Sequence, residues 1–169
     1  MIKIPELKLD QLFLIRHADY LNGKGLSEKG IEQIKRITKE SILPLMKNES
    51  YTVFNVSSIE RRAIESSFVA QEEAVSQGKP IGDGAVYTTT VLFGDAYPES
   101  AKEFIDFVNN YSLKKACVAF GHQEFVCGFP SLYLKSVFNL NDVPKDFGKG
   151  FARGVYIDLK TGEWKKISC

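Results

Sequence analysis

Short apolar runs that end at polar residues form the clearest pattern in this chain. Two of them, Leu12–Ile15 and Ala116–Phe120, show no alternation with polar residues. Runs of this kind are typical of strands buried on both faces of a parallel sheet. A third run, Tyr51–Val56, alternates and contains β-branched residues. We therefore predict another strand there, which Ser57 and Ser58 end.

Segments with helical spacing separate the predicted strands. After a glycine-containing loop at Asn22–Gly25, Ser27 is a candidate N-cap for a first helix. Its apolar side carries Ile31, Ile34, Ile37 and Ile42. A second helix is predicted from about Ile59 to Val75. A third begins at Pro98 and carries the apolar residues Phe104, Ile105 and Val108. A fourth is predicted over Gln123–Leu134, where Gly128 and Pro130 interrupt the helical pattern.

The C-terminal segment predicts a hairpin. Gly150–Leu159 and Trp164–Ile167 have strand character, and Lys160–Glu163 suits a tight turn between them. Further upstream, Gln77–Gly84 predicts a turn, and Val86–Phe93 has extended character with three threonines that leave its role open.

The order of these elements indicates the fold class. Strands and helices alternate first, and a hairpin closes the chain, which predicts an α/β protein. We expect a three-layer α/β/α sandwich with a mostly parallel central sheet and some antiparallel edge. A chain of 169 residues suits one domain spanning residues 1–169.

Composition and charge narrow the classes of function. Hydrophobic residues make up 44% and charged residues 25% of the chain, as in ordinary soluble proteins. The formal net charge of +1 argues against an extended basic field, so neither nucleic acid nor an acidic membrane is an expected partner. The apolar stretches are also far shorter than the roughly 20 residues of a membrane helix.

Cysteine usage favours a reducing compartment. Cys117, Cys127 and Cys169 cannot all pair with one another, and none stands in a CxxC arrangement. With no signal peptide at the start, we expect reduced thiols and a cytoplasmic protein.

The two histidines of the chain occupy equivalent places in the pattern. His17 follows the first apolar run directly after Arg16, and His122 follows the run that ends at Phe120. In an open α/β sheet, ligands bind at the carboxyl ends of the strands. Two imidazoles and an arginine delivered to such ends indicate phosphate chemistry.

Four segments in order resemble the histidine phosphatase superfamily, also called phosphoglycerate mutase-like. The segments are Leu14–Ala18 (Arg-His-Gly/Ala motif), Leu26–Gly30 (the start of the first helix), Ser57–Ala63 (Ser-Ser-x-x-x-Arg-Ala) and Gly121–His122 (the second histidine). Any one of these motifs is weak, whereas four in order at sensible distances are fairly specific. With its short chain, the sequence resembles most the short branch of this superfamily, which includes phosphohistidine phosphatases.

The resemblance implies a role for each matching residue. His17 would be the nucleophile and form a transient phosphohistidine, because an imidazole with one unprotonated nitrogen can attack phosphorus. The phosphoryl oxygens need fixed cationic donors, and arginine supplies them in a planar, permanently charged form. The expected contacts to the phosphoryl group come from Arg16, Arg62, His122, Ser58 and Gln123, the last two at helix starts. No cofactor is expected, and no metal site either, because two histidines without a cysteine at ligand spacing would need carboxylates to complete one.

The general acid is where the chain departs from the family pattern. Counting back four residues from Gly94 reaches Thr90, where the family's mutases and many of its phosphatases carry a glutamate. Threonine cannot protonate a leaving group at neutral pH. Asp95 is the favoured replacement, with Glu99 and Glu124 left open. Phosphoramidates and aryl phosphates, which depart without much help from an acid, are therefore favoured over alkyl esters.

The sequence thus predicts a metal-independent phosphatase acting on a phosphorylated small molecule or a phosphoprotein. An inactive phospho-ligand binding module of the same fold is the alternative from a different class. A phosphomutase is disfavoured by the chain length and by Thr90. The oligomeric state is left open.

Overall fold

A mixed sheet forms the centre of this protein in the computed structural model, which describes residues 3–111, 113–145 and 150–169. The strands are β1 (Gln11–Arg16), β2 (Tyr20–Leu21), β3 (Gly25–Leu26), β4 (Val53–Ser58), β5 (Tyr87–Thr89), β6 (Ala116–Gly121), β7 (Arg153–Asp158) and β8 (Trp164–Ser168). The α-helices are α1 (Glu28–Ile37), α2 (Leu43–Leu45), α3 (Arg61–Ser76), α4 (Pro98–Asn109) and α5 (Gln123–Phe138).

Six strands build the main sheet in the order β5-β4-β6-β1-β7-β8, and β2 pairs with β3 in a small separate hairpin. The first four strands of this order are parallel, while β7 runs antiparallel to β1 and β8 antiparallel to β7. The prediction of a mostly parallel sheet with an antiparallel edge is confirmed.

Helices cover both faces of the sheet because successive residues of each buried strand point to opposite sides. Leu12 and Leu14 of β1 pack into a core with residues of α4 and α5. Phe13 and Ile15 pack on the other side with residues of α1 and α3. The result is the predicted α/β/α sandwich.

The start of α1 shows the predicted capping. The Ser27 hydroxyl oxygen accepts a hydrogen bond from the Gly30 N–H at 3.0 Å and donates one to Asp19 Oδ2 at 2.6 Å. This ties the helix to the loop that follows β1. Beyond Ile37 the chain continues through a π-type turn over Thr38–Ile42 into α2.

The second long strand differs from its prediction at both ends. Ser50–Thr52 forms a 3₁₀ turn, and β4 begins only at Val53. Ser57 and Ser58 do not end the strand but belong to it, because Ser57 pairs with Phe120 of β6 and Ser58 with Thr89 of β5. The buried Ser57 hydroxyl is satisfied there, because it donates a hydrogen bond to the Ser58 carbonyl oxygen at 2.8 Å.

Helix α5 is longer than predicted and runs through Pro130 to Phe138. A proline inside a helix costs about 3 kcal/mol. Packing compensates, because Phe129 stacks on Phe125 with ring centroids 5.3 Å apart and on Tyr133 at 5.5 Å. Within the described residues, no helix combines the length and the apolar character needed to cross a bilayer.

Candidate active site

Three neighbouring parallel strands deliver the candidate residues to one edge of the sheet. His17 directly follows β1, His122 directly follows β6, and Ser58 ends β4. The His17 N–H donates to the Gly121 carbonyl at 3.0 Å, which continues the strand pairing past the end of β1. The two imidazole rings meet with centroids 5.0 Å apart at an angle of 63°. The structure thus brings together the two histidines that the sequence singled out.

Hydrogen bonds fix the tautomer of His17. Its Nδ1 lies 2.8 Å from the carbonyl oxygen of Ala18. Because a carbonyl oxygen only accepts, Nδ1 carries the proton and Nε2 keeps its lone pair. The Nε–H of Arg62 donates to this Nε2 at 3.2 Å. The unprotonated nitrogen therefore faces a guanidinium group.

Burial holds His17 in its neutral form. The residue is only 3% exposed, and this loss of hydration lowers the pKa of its imidazole to about 4. This value of about 4 also includes smaller lowering effects of His122, Arg62 and Arg16 on the pKa, which the hydrogen bond to the Ala18 carbonyl opposes. At neutral pH the ring is uncharged and able to act as a nucleophile.

His122 is neutral for the same main reason. Burial lowers its pKa to about 4, and the positive charge of Arg62 adds to the effect. Its Nε2 lies 2.8 Å from the Ser58 hydroxyl, and the Phe93 ring contacts it with centroids 4.8 Å apart. A bound phosphate dianion would raise this pKa and favour the charged form.

Aromatic faces support the two arginines. The Arg16 guanidinium lies 4.4 Å from the centre of the Phe151 ring, and that of Arg62 lies 4.6 Å from the Tyr20 ring. Arg62 Nη1 also approaches a Glu60 carboxylate oxygen at 3.3 Å. The buried Nε of Arg16 has no hydrogen-bond partner in the described part of the chain, so it can still donate to a ligand.

The neighbouring Arg61 takes no part in this arrangement. Its Nε donates to Glu65 at 2.6 Å on the solvent side of α3. Adjacent residues of a helix point apart, which explains why only Arg62 reaches the site.

These groups surround a pocket of about 300 Å³. Its lining consists of Arg16, His17, Tyr20, Arg62, Phe93, His122, Gln123 and Glu124. The pocket combines two cations and two imidazoles in a small volume, which suits a phosphoryl-sized anion. Across residues 3–111, 113–145 and 150–169, no group of three or more His, Cys, Asp or Glu side chains is arranged to hold a metal ion.

The sequence-predicted residues are not all in this lining. Ser58 lies beneath it, fully buried, where it contacts His122. Asp95 is exposed on the loop before α4, and its carboxylate accepts a hydrogen bond from the Tyr97 hydroxyl at 3.2 Å. Glu99 is exposed in the first turn of α4, whereas Glu124 lines the pocket.

The path of the chain explains the position of Asp95. A 3₁₀ turn over Val91–Phe93 buries Val91 and Leu92 in the core. This directs Phe93 towards His122 and leaves Asp95 on the solvent side. The structure therefore does not bring Asp95 together with the other candidate residues.

Sequence reasoning missed the aromatic residues of the site. The rings of Tyr20 and His17 form a T-shaped contact with centroids 5.3 Å apart, and Phe151 contacts the His17 ring at 5.7 Å. Phe151 lies far along the chain, two residues before β7 begins, and no local pattern marks it. Tyr20, three residues after His17, could have been noted from proximity alone.

Comparison with known proteins gives matches at the level of structure. No family model and no curated protein matches the sequence. The putative phosphohistidine phosphatase SixA of Agrobacterium tumefaciens superposes with a TM-score of 0.59 at 12% identity, covering 95% of this chain and 97% of that one. The chain has the histidine phosphatase fold.

Two further structures with the histidine phosphatase fold were solved with oxyanions. The protein histidine phosphatase SixA in complex with tungstate gives a TM-score of 0.57 at 15% identity, covering 94% of this chain and 96% of that one. A mycobacterial glucosyl-3-phosphoglycerate phosphatase with VO3 gives a TM-score of 0.51 at 16% identity, covering 92% and 95%. At sequence identities this low, the structural similarity establishes the fold, which is shared over nearly the full length of each chain.

Proposed function

We propose that this protein is a metal-independent phosphatase that works through a phosphohistidine on His17. The observation that carries the proposal is the unprotonated Nε2 of a buried, neutral His17 in a pocket with Arg16, Arg62 and His122. A nucleophilic nitrogen and fixed cationic donors are the two things that phosphoryl transfer needs.

The proposed reaction has two steps. The lone pair of His17 Nε2 forms a bond to phosphorus, and the bond from phosphorus to the leaving atom breaks, with its electron pair going to that atom. The imidazole becomes positive, and the Ala18 carbonyl stabilises it through Nδ1–H. Water then attacks phosphorus, the N–P bond electrons return to Nε2, and phosphate leaves.

Arg62 changes its partner during the first step. In the structure its Nε–H donates to the lone pair that must attack. A phosphoryl oxygen is a stronger acceptor than a neutral imidazole, because its hydrogen bond to a guanidinium joins two charges. Substrate binding therefore draws Arg62 away from Nε2 and frees the nucleophile.

Proton delivery to the leaving group is assigned to Glu124 in this proposal. Sequence reasoning favoured Asp95, but Glu124 is the one of the three candidate carboxylates that lines the pocket. Its carboxyl group lies close enough to influence the pKa values of both Arg16 and His122, which supports its proximity to the reacting group. The proton that it gives to the leaving atom in the first step is returned by the water that attacks phosphorus in the second step.

The structural neighbours support a phosphatase in general. One is described as a protein histidine phosphatase and another as a glucosyl-3-phosphoglycerate phosphatase. We propose a phosphorylated small molecule or a phosphoprotein as substrate, with a phosphoramidate or phosphomonoester bond. We also propose a cytoplasmic location, because the three cysteines of the sequence cannot all pair with one another and none stands in a CxxC arrangement.

Hydrolysis of para-nitrophenyl phosphate in EDTA tests the proposal. The wild-type protein should turn over, and His17→Ala should fall to the level of the buffer control. Arg62→Ala should lose about 10²–10³-fold in kcat, as when a single donor to a developing charge is removed. Arg61→Ala is the matched control and should keep full activity, because Arg61 pairs with Glu65 outside the pocket.

Trapping with a radiolabelled substrate identifies the intermediate. A label on His17 is lost in acid and kept in alkali, since N–P bonds are acid-labile. Turnover that survives His17→Ala, or an acid-stable label, would rule out this mechanism.

A phospho-ligand binding module is the second candidate, favoured by the Arg62 N–H that occupies the His17 lone pair. It predicts that inorganic phosphate raises the melting temperature and that Arg16→Ala and Arg62→Ala abolish this effect, without turnover of any aryl phosphate.

A further inference from the structure

A second cavity lies along the later turns of α3, away from the phosphate pocket. It has a volume of about 630 Å³ between one face of α3 and the loop at residues 80–84, and we name it the α3 groove. Phe68, Gln71, Glu72 and Val75 line its helix side at spacings of three and four residues. Gln71 stands nine positions after Arg62, which is roughly 13 Å along the helix.

Apolar side chains are exposed in this groove. Phe68 is 44% and Val75 is 64% exposed, although both are large hydrophobic residues. Pro80 and the buried Ile81 face them from the loop. An apolar face of this kind loses contact with water when another chain covers it.

A buried amide without partners lies in the same lining. Gln71 is 7% exposed, and neither its Nε2 nor its Oε1 has a hydrogen-bond partner among the described residues. Buried polar groups are almost always hydrogen-bonded, so an unpartnered carboxamide requires an explanation. Because Gln71 is part of the groove lining, we expect a segment seated in the groove to lie beside this carboxamide.

Two carboxylates complete the groove. Glu72 and Asp83 both line it and both are exposed to solvent. They are the charged members of the lining, so the field at the rim is negative and attracts a basic side chain.

We propose that the α3 groove binds an extended segment of a partner protein that carries an apolar residue beside a lysine or arginine. A peptide group offers one N–H and one C=O, which match the acceptor and the donor of the Gln71 carboxamide. The apolar side chain packs between Phe68 and Pro80, and the basic side chain lies near Glu72 and Asp83. The phosphate pocket stays open, so the site acts independently of the proposed reaction.

The test uses the peptide acetyl-Ala-Lys-Leu-Val-Lys-Ala-amide with the whole protein. The side-chain amide signals of Gln71 are identified in an NMR spectrum as those missing from Gln71→Leu. Adding the peptide should shift these signals. The same peptide with glutamate in place of both lysines should bind about tenfold more weakly, and Glu72→Gln/Asp83→Asn should remove that difference.

The variant Gln71→Leu separates binding from a structural role. It removes a partnerless buried amide, so its melting temperature should stay equal or rise, while affinity for the peptide falls about tenfold. Glu32→Gln on the exposed face of α1 is the matched control and should bind as the wild type does. Hydrolysis of para-nitrophenyl phosphate should be unchanged in every one of these variants.

Three outcomes would overturn the proposal. The first is a lower melting temperature in Gln71→Leu with unchanged peptide binding, which would assign the amide a structural partner. The second is equal binding of the basic and acidic peptides. The third is a Gln71 signal that shifts on dilution without peptide, which would make a second copy of the chain the occupant. Absence of phosphatase activity would leave these binding results unaffected.

Discussion

Glu124 stands at the pocket where a leaving group would depart, in the first turn of α5. If it donates the proton, its importance depends on the leaving group. An alkyl oxygen needs a proton in the transition state, whereas para-nitrophenolate departs as a stable anion.

We therefore expect Glu124→Gln to lower kcat for an alkyl phosphate by about 10²–10⁴-fold. The same variant should change kcat for para-nitrophenyl phosphate only a few-fold. Steady-state kinetics on both substrates measure the difference. Asp95→Asn and Glu99→Gln serve as controls and should leave both rates near the wild-type values, because these carboxylates lie outside the pocket lining. A large loss in Asp95→Asn alone would restore Asp95 as the acid.

For some residues near the site the sequence alone was enough to predict whether they lie in the pocket, and for others it was not. Arg62 was separable from Arg61 because the motif and the helix geometry both select one of the two. Glu124 and Asp95 were not separable, because both are acidic residues next to motif positions. The 3₁₀ turn over Val91–Phe93 leaves Asp95 outside the pocket, whereas the first turn of α5 brings Glu124 into its lining.

At the scale of elements, Gly30 sets how closely α1 approaches the loop after β1. A Cβ atom placed on Gly30 would overlap the carbonyl oxygen of Asp19. This oxygen belongs to backbone two residues beyond His17, so it cannot move without disturbing the site. Close packing of α1 against this loop therefore explains why a glycine stands at the end of the Leu26–Gly30 motif.

We expect Gly30→Ala to lower the free energy of unfolding by about 1–3 kcal/mol, the usual cost of overpacking. Urea denaturation measures the change. Gly94→Ala is the matched control, since a Cβ there meets nothing within 4 Å and its φ of −98° suits any residue. Equal stability of the two variants would contradict the close approach of α1.

The longer elements were predictable from local pattern, and their ends were not. The apolar run of β1 predicted a strand and the spaced isoleucines of α1 predicted a helix, because the hydrophobic patterns of a buried strand and an amphipathic helix differ. Pro130 indicated an interrupted helix, yet α5 continues past it. The stacking of Phe125, Phe129 and Tyr133 outweighs the local cost, and that stacking exists only in the packed core.

For the whole molecule, the two buried imidazoles link stability to pH. Folding lowers the pKa of both His17 and His122 from 6.5 to about 4. Below pH 6.5 the unfolded chain binds protons that the folded chain does not, so the free energy of unfolding falls as the pH falls. The free energy of unfolding decreases over the pH range from about 6.5 to about 4.

We expect this free energy to decrease by roughly 2–4 kcal/mol between pH 7 and pH 5. Urea denaturation at a series of pH values measures it. The double variant His17→Asn/His122→Asn should show a much flatter profile, and these are the two histidines of the chain. The carboxyls of Glu65 and Asp158, whose pKa values folding lowers, contribute mainly below this range. An equally steep profile in the double variant would contradict buried, neutral imidazoles.

The sequence by itself determined the fold class and the four principal residues of the pocket. Short-range periodicity specifies strands and helices, and a residue that follows a buried parallel strand lies at the carboxyl edge of the sheet. That rule alone placed His17 and His122 on the same edge.

Only the tertiary structure decided which carboxylate lines the pocket, which aromatic rings support the arginines and which tautomer His17 adopts. It also decided that the Gln71 carboxamide, beside an apolar groove, has no hydrogen-bond partner in the part of the chain that the structure describes. These features depend on distances between segments far apart in the chain, such as Phe151 and Arg16. Such distances follow from how the layers pack, which no local pattern of residues encodes.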